Sequence, residues 1–150
     1  LALNVDDLDA AISFYSKLFA SEPAKVRQGY ANFAIAEPPL KLVLIENPGH
    51  GGTLNHLGVE VAGSADVEAA QRRLSGEGLA TATEEDVACC HARQDKVWVD
   101  GPSGEPWEIY TVLADVEMPG GQLRTDPESG ATCCAGAEGD DAVTVGTTCC

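Results

Sequence analysis

The amino-acid sequence predicts an α+β fold: two tandem strand-helix-strand-strand-strand (βαβββ) modules forming a curled mixed sheet, with a disordered C-terminal tail. Three observations carry the prediction. Short runs of alternating apolar residues, suited to strands with one packed face, are interleaved with two stripes of helical period. Their order repeats, Leu1-Ala2-Leu3-Asn4-Val5 matching Leu57-Gly58-Val59-Glu60-Val61 ahead of a helix in each half. The patterning then stops, which separates a folded region of residues 1–114, in modules of about 1–47 and 53–114, from a tail of residues 115–150.

The first strand, Leu1 to Val5, leads into a helix whose Leu8, Ala11, Ile12, Tyr15, Leu18 and Phe19 keep the i, i+3, i+4, i+7 stripe, with Asp6 placed to cap it. Three strand candidates follow, Ala24 to Gln28, Tyr30 to Ala36 and Lys41 to Glu46, separated by Gly29 and Pro38-Pro39. A breaker-rich linker, Asn47-Pro48-Gly49-His50-Gly51-Gly52, opens the second module. There the strand from Leu54 to Val61 precedes a helix with the stripe Val67, Ala70 and Leu74, with Ser64 or Asp66 as cap and Gly76 or Gly78 as terminator. Its strands are Leu79 to Thr83, Lys96 to Asp100 and Pro106 to Val112, the last two joined by the turn Gly101-Pro102-Ser103-Gly104. Between the first two lies an insertion, Glu84 to Gln94, that the first module lacks. A loop that interrupts a repeated module is better suited to a site than to a core.

The chain has 150 residues, room for one domain or two small fused modules. Nine Lys and Arg against 24 Asp and Glu give a net charge of −15, which repels phosphate backbones and anionic headgroups and argues against nucleic-acid and membrane-surface partners. A hydrophobic content of 44% suffices for a core, and no run approaches the roughly 18 apolar residues of a membrane span. The sequence opens at Leu1 without the basic flank and apolar stretch of a signal peptide, so a soluble, cytoplasmic protein is expected. From Asp115 onward, six Gly, no aromatic residue and seven acidic residues against Arg124 leave too little apolar surface to offset the entropy of ordering.

The six cysteines fall as three adjacent pairs, Cys89-Cys90, Cys133-Cys134 and Cys149-Cys150. A bond between neighbouring cysteines closes a small, distorted ring, so such pairs are poor staples. In a reducing compartment they form soft chelating pairs instead. Cys89-Cys90 lacks the spacer of a Cys-x-x-Cys zinc site. It reads either as two incidental buried thiols or, given its polar flanks Glu84-Glu85-Asp86 and His91-Ala92-Arg93, as an exposed pair for As(III), Cd(II) or Hg(II). The tail pairs Cys133-Cys134 and Cys149-Cys150 read as capture sites or as spare thiols.

Strand parity selects the metal candidates. In the strand from Leu54, the residues Asn55, Leu57, Val59 and Val61 share one face, and His56, Gly58 and Glu60 share the other. With the apolar set packed on the helix, His56 turns to the concave face of the sheet. In the last strand Glu108, Tyr110 and Val112 share a face. A sheet curled so that these faces meet brings an imidazole and a carboxylate together, two thirds of a facial triad for Fe(II) or a similar ion. Taken alone, each also has an ordinary reading, as a hydrogen-bonded strand histidine and a solvent-facing charge. His50 reads as a loop histidine among glycines, and His91 as a ligand beside the Cys pair or a second loop histidine.

Leu1-Ala2-Leu3-Asn4-Val5-Asp6-Asp7-Leu8 through Phe14-Tyr15-Ser16-Lys17-Leu18-Phe19, with Asn55-His56-Leu57-Gly58-Val59-Glu60-Val61 and Gly101-Pro102-Ser103-Gly104-Glu105-Pro106-Trp107-Glu108-Ile109-Tyr110, resembles the glyoxalase/bleomycin-resistance/extradiol-dioxygenase superfamily, the vicinal oxygen chelate fold. The likeness extends from Leu1 to about Leu113. The run Asn32 to Leu44, the segment Thr53-Leu54-Asn55-His56-Leu57-Gly58, and Cys89-Cys90 with Gln94-Asp95-Lys96-Val97-Trp98-Val99 resemble a narrower group. It holds the Fe(II)-dependent carbon-arsenic lyases for trivalent organoarsenicals and the similar cadmium-induced proteins.

By that resemblance His56 and Glu108 fall on metal-ligand and catalytic positions, with a third such position at the residue immediately before Leu1. Val43 occupies the fourth position used by glyoxalases and cannot ligate, which implies open sites for oxygen and substrate and argues against glyoxalase chemistry. The function implied is a non-haem Fe(II) dioxygenase, with Ni, Co or Cd able to substitute at the metal site. It would use dioxygen to cleave the carbon-arsenic bond of methylarsenite and aromatic As(III) compounds, with Cys89 and Cys90 holding the arsenic, and release arsenite. A second reading is a cadmium- or arsenic-binding resistance protein without turnover, and a third a drug-binding or glyoxalase-like relative. Whether two chains pair through their sheets as a homodimer stays open.

Overall fold

The computed structural model of the chain describes residues 1–89 and 92–116, the side chain of Cys89 excepted, and the backbone of residues 123–125 and 132–134. In order, the elements are β1 (Ala2–Val5), α1 (Leu8–Phe19), β2 (Lys25–Arg27), β3 (Tyr30–Ile35), β4 (Leu40–Glu46), β5 (Leu54–Glu60), α2 (Ser64–Gly76), β6 (Ala82–Cys89), β7 (Ala92–Asp100) and β8 (Pro106–Asp115). The βαβββ order therefore occurs twice, as the sequence predicts. Among the described residues β1 to β8 form an open mixed sheet in the order β2-β3-β4-β1-β5-β8-β7-β6. The backbones of β9 (Leu123–Thr125) and β10 (Thr132–Cys134) pair separately as a two-stranded antiparallel ribbon.

The chain divides into two compact units, Leu1–Gly58 with Asp100–Trp107, and Val59–Val99 with the chain from Glu108. In the first, β1 pairs in parallel with β4 while β2-β3-β4 is an antiparallel meander. Its core is Leu8, Ala31, Phe33, Leu42 and Leu44, with Ile12, Tyr15 and Phe19 of α1 packed against them. The rings of Tyr15 and Phe19 stack at 5.9 Å, and each lies 6.4 Å from fully buried Phe33. Leu18, which the stripe assigns to this face, is instead 58% exposed.

The cap of α1 is displaced by one residue from the expected Asp6. Asp7 is the N-cap, its Oδ1 accepting from the backbone N–H of Ala10 at 2.8 Å. Asp6 Oδ1 accepts instead from the N–H groups of Gly49 and Gly51, at 2.7 and 3.0 Å, and so folds the linker back onto the start of the helix. A side chain at position 51 would collide with that carboxylate, which accounts for a glycine there.

In the second unit α2 buries Val67, Ala70 and Leu74 on Val97, with Val61, Val99 and Ile109 around them. Gly63 is its N-cap and offers no side-chain bond. Neither Ser64 nor Asp66 caps; Ser64 Oγ donates to the carboxylate of Asp95 on β7. Of the expected loop over Glu84 to Gln94, Glu84 to Cys89 and Ala92 to Gln94 are strand. β6 and β7 run antiparallel from Ala82↔Trp98 to Cys89↔Ala92, with a register shift between Glu84 and Val87 and Asp86 at φ +53°. Runs of polar residues, Glu84-Glu85-Asp86 and Arg93-Gln94-Asp95-Lys96, interrupt this terminal arm, so apolar alternation does not betray it.

Phe33→Ala removes a fully buried ring that two aromatic neighbours cover. It is expected to lower stability by about 3–5 kcal/mol, read as a reduced urea midpoint with an unchanged slope.

Candidate active site

His56 lies on β5 in the first unit and is 8% exposed. Ala2 is the register partner of both His56, antiparallel, and Val43, parallel, so the three form one row across β5, β1 and β4. Immediately beyond it the pairing moves to Leu3↔Leu54, a one-residue shift that leaves Asn55 as a bulge. In a regular strand Asn55 and His56 would point to opposite faces. Here Asn55 Oδ1 lies 2.6 Å from His56 Nδ1, and Asn55 Nδ2 donates to Asn4 Oδ1 at 2.9 Å. Asn4 Nδ2 donates to Thr53 Oγ1 at 2.9 Å, and Thr53 Oγ1 donates to the carbonyl of His50 at 2.7 Å. The bulge thus overrides the parity that assigned Asn55 to the helix-packed face. Val59, assigned to that same face, is 48% exposed.

Glu108 lies on β8 in the second unit and is 6% exposed. Its Oε2 accepts from Lys96 Nζ at 2.9 Å, and Lys96, 2% exposed, also stands over the Trp98 ring at 5.2 Å. The solvent-facing reading of Glu108 is therefore wrong. Two residues along β8, Tyr110 donates to Glu60 Oε2 at 3.2 Å. Burial pushes its phenol well above the ordinary range, and the charges of Glu60 and then Glu108 push it further. Gln94, also buried, keeps Oε1 without a hydrogen-bond partner among the described residues. Gln94, Lys96 and Trp98 occupy alternate positions of β7.

The other side of β7 faces α2. Asp95 accepts from Ser64 Oγ and, at 2.7 Å, from the N–H of Asp86 in the β6 bulge, while Arg93 Nε donates to Asp86 at 2.6 Å. The Ser64 bond foremost, then that of Asp86, holds the Asp95 carboxyl below its ordinary range. A cavity of about 650 Å³ opens here, lined in part by Glu68, Arg72, Glu84, Asp86 and Asp95.

Cys89 ends β6, its position in register with Ala92. Cys90 and His91 lie outside the described residues, as do Cys149, Cys150 and the side chains of Cys133 and Cys134. His50 is a loop residue whose backbone anchors Thr53, as its loop reading expects. Among the described residues no three or more His, Cys, Asp and Glu side chains gather as a metal cluster. The donor types at His56 and Glu108, an imidazole and a carboxylate, nonetheless fit a divalent first-row ion. The sequence reading passed over Asn4, Lys96 and Tyr110. A lysine within an apolar strand, Lys96-Val97-Trp98-Val99, is the signal that points to a buried cation and hence to a buried carboxylate across from it.

The chain belongs to the glyoxalase/bleomycin resistance protein/dioxygenase superfamily, whose family model matches residues 1–109, in agreement with the resemblance of its motifs. The cadmium-induced protein CadI of Mycobacterium tuberculosis is 63% identical over 139 residues, 91% of each chain. The trivalent organoarsenical cleaving enzyme of Thermomonospora curvata is 57% identical over 151 aligned positions, covering 100% of this chain and 97% of that protein. Among solved structures, a variant of homoprotocatechuate 2,3-dioxygenase from B. fuscum aligns with a TM-score of 0.57 at 22% identity, over 77% of this chain and 32% of that one, a likeness of fold. No helix among the described residues is long and apolar enough to cross a membrane.

Lys96→Met leaves the Glu108 carboxylate buried without its ammonium. The expected loss is about 3–5 kcal/mol in chemical denaturation, most of it recovered in the double variant Lys96→Met with Glu108→Gln. The Asp95 bonds stabilise the fold above the unfolded carboxyl range of about pH 4, and that stability is lost as pH falls through the lower folded value. Asp95→Asn should accordingly melt lower than the parent near neutrality, and the gap should narrow in acid.

Proposed function

We propose that the chain is a trivalent organoarsenical-cleaving enzyme, a non-haem Fe(II) dioxygenase that releases arsenite from methylarsenite and aromatic As(III) compounds. The observation that carries this reading is end-to-end similarity, 57% identity across 100% of this chain, to a protein named for that cleavage. The dioxygenase-like fold is in keeping with it. His56 and Glu108 would hold the metal, and Ni, Co or Cd could take the same place. Bound Fe(II) would supply the redox partner through which dioxygen is activated.

The protein's own residues do the rest. The thiols of Cys89 and Cys90 bind trivalent arsenic in exchange for its hydroxyl groups, two As–S bonds replacing two As–O bonds while each thiol proton leaves with a displaced hydroxyl as water. A two-point clamp fixes where the organic group lies, and orientation of this kind lowers barriers by several kcal/mol, on the order of 7 at best. Lys96 pairs with the Glu108 carboxylate and holds it in place, and Val43, in the His56 row, leaves that row with no further ligand. The tail cysteines would either pass substrate to this pair or serve as spare thiols, in a protein working in the cytoplasm.

The second reading is capture of cadmium or arsenic without turnover, favoured by the 63% identity to a protein named for cadmium induction. One experiment separates the two. Protein loaded anaerobically with Fe(II) and given methylarsenite in air should yield arsenite, and His56→Ala should lower the rate at least about 100-fold while leaving arsenical binding to the thiols nearly intact. No arsenite from the loaded parent protein would leave capture as the function.

A further inference from the structure

We infer that Thr53, Asn4 and Asn55 fix His56 as the tautomer protonated on Nδ1 and so present Nε2 as its donor nitrogen, an inference that rests on the proposed reading of His56 as a metal ligand. The bonds start from a group that can only accept, the backbone carbonyl of His50. Thr53 has one hydroxyl proton, and its Oγ1 lies 2.7 Å from that carbonyl oxygen, so the proton points there. The Thr53 oxygen then accepts, and the Asn4 group 2.9 Å away must be the amide NH2.

That orientation turns Asn4 Oδ1 toward two amides, and both Asn55 Nδ2 at 2.9 Å and Asn47 Nδ2 at 3.5 Å donate to it. With its NH2 committed to Asn4, Asn55 meets His56 with its carbonyl oxygen, 2.6 Å from Nδ1. A carbonyl oxygen only accepts. The hydrogen therefore sits on Nδ1, and the basic lone pair of the neutral ring sits on Nε2. Reversing any one amide would set donor against donor or acceptor against acceptor at the next joint, and Asn4, Asn47 and His56 are all buried. The relay reaches Nδ1 only because the β5 bulge swings Asn55 to the side of His56. Thr53, Asn4 and Asn55 are thus positioning residues, and outer partners of this kind change metal affinity about 10–100-fold when removed.

Imidazole nitrogen NMR of the full metal-free chain at alkaline pH reads the tautomer without reference to activity. The parent protein should show His56 protonated on Nδ1. Thr53→Val, at an exposed position, removes the fixed point and should give a mixture of tautomers, with Co(II) binding weakened about 10-fold. Asn55→Asp keeps an acceptor against Nδ1 and should retain the parent tautomer. A parent ring protonated on Nε2, a Thr53→Val ring still wholly protonated on Nδ1, or an Asn55→Asp ring that has lost that form overturns the inference. Co(II) binding unchanged in His56→Ala would overturn the ligand assignment under the proposed function, and with it the metal half of the inference, while the NMR result decides the tautomer by itself.

Discussion

The Glu108 carboxylate and the Lys96 ammonium lie 2.9 Å apart, both nearly out of water. Neither could occupy that place without the other, because an uncompensated buried charge costs several kcal/mol. Their pairing decides what else β7 and β8 carry. Lys96 also stands over the Trp98 ring, and the Glu108 carboxylate adds to the field that raises the Tyr110 phenol. The pair is poor economy as a source of stability, since a well-packed apolar pair of similar volume would do at least as well. The first unit meets the same constraint without charge, matching each buried amide to a neighbour until the series ends on a backbone carbonyl.

Much of the fold is legible from periodicity. The stripe of α2 and the strands β3 to β5 announce themselves as apolar runs of helical or strand period, and the repeated order of elements follows from recognising Leu57 to Val61 as a second Leu1 to Val5. Parity also singles out His56 and Glu108 in the sequence, and both are buried. What parity misses is set by one-residue events that leave no apolar trace. A bulge moves Asn55 to the side of His56, and a choice between two adjacent aspartates moves the cap from Asp6 to Asp7. The β6–β7 arm is missed for a different reason, since its runs of polar residues imitate a loop while backbone pairing continues beneath them.

Similar protein names attach to two different activities, cadmium induction and organoarsenical cleavage, and both stand above 55% identity to this chain. Cys89-Cys90 and the donors proposed at His56 and Glu108 lie apart in sequence, so the two readings, capture and turnover, draw on different residues of one scaffold.

β6 ends the described sheet, and a terminal strand normally invites another chain to extend it. This one carries Glu84, Glu85 and Asp86 in succession, breaks register across them, and draws Asp86 inward onto Asp95. The kink and the charge together spoil the template for a further strand. The bonds that tie the hairpin to α2 are therefore also what holds this strand in a shape that a further strand pairs with poorly.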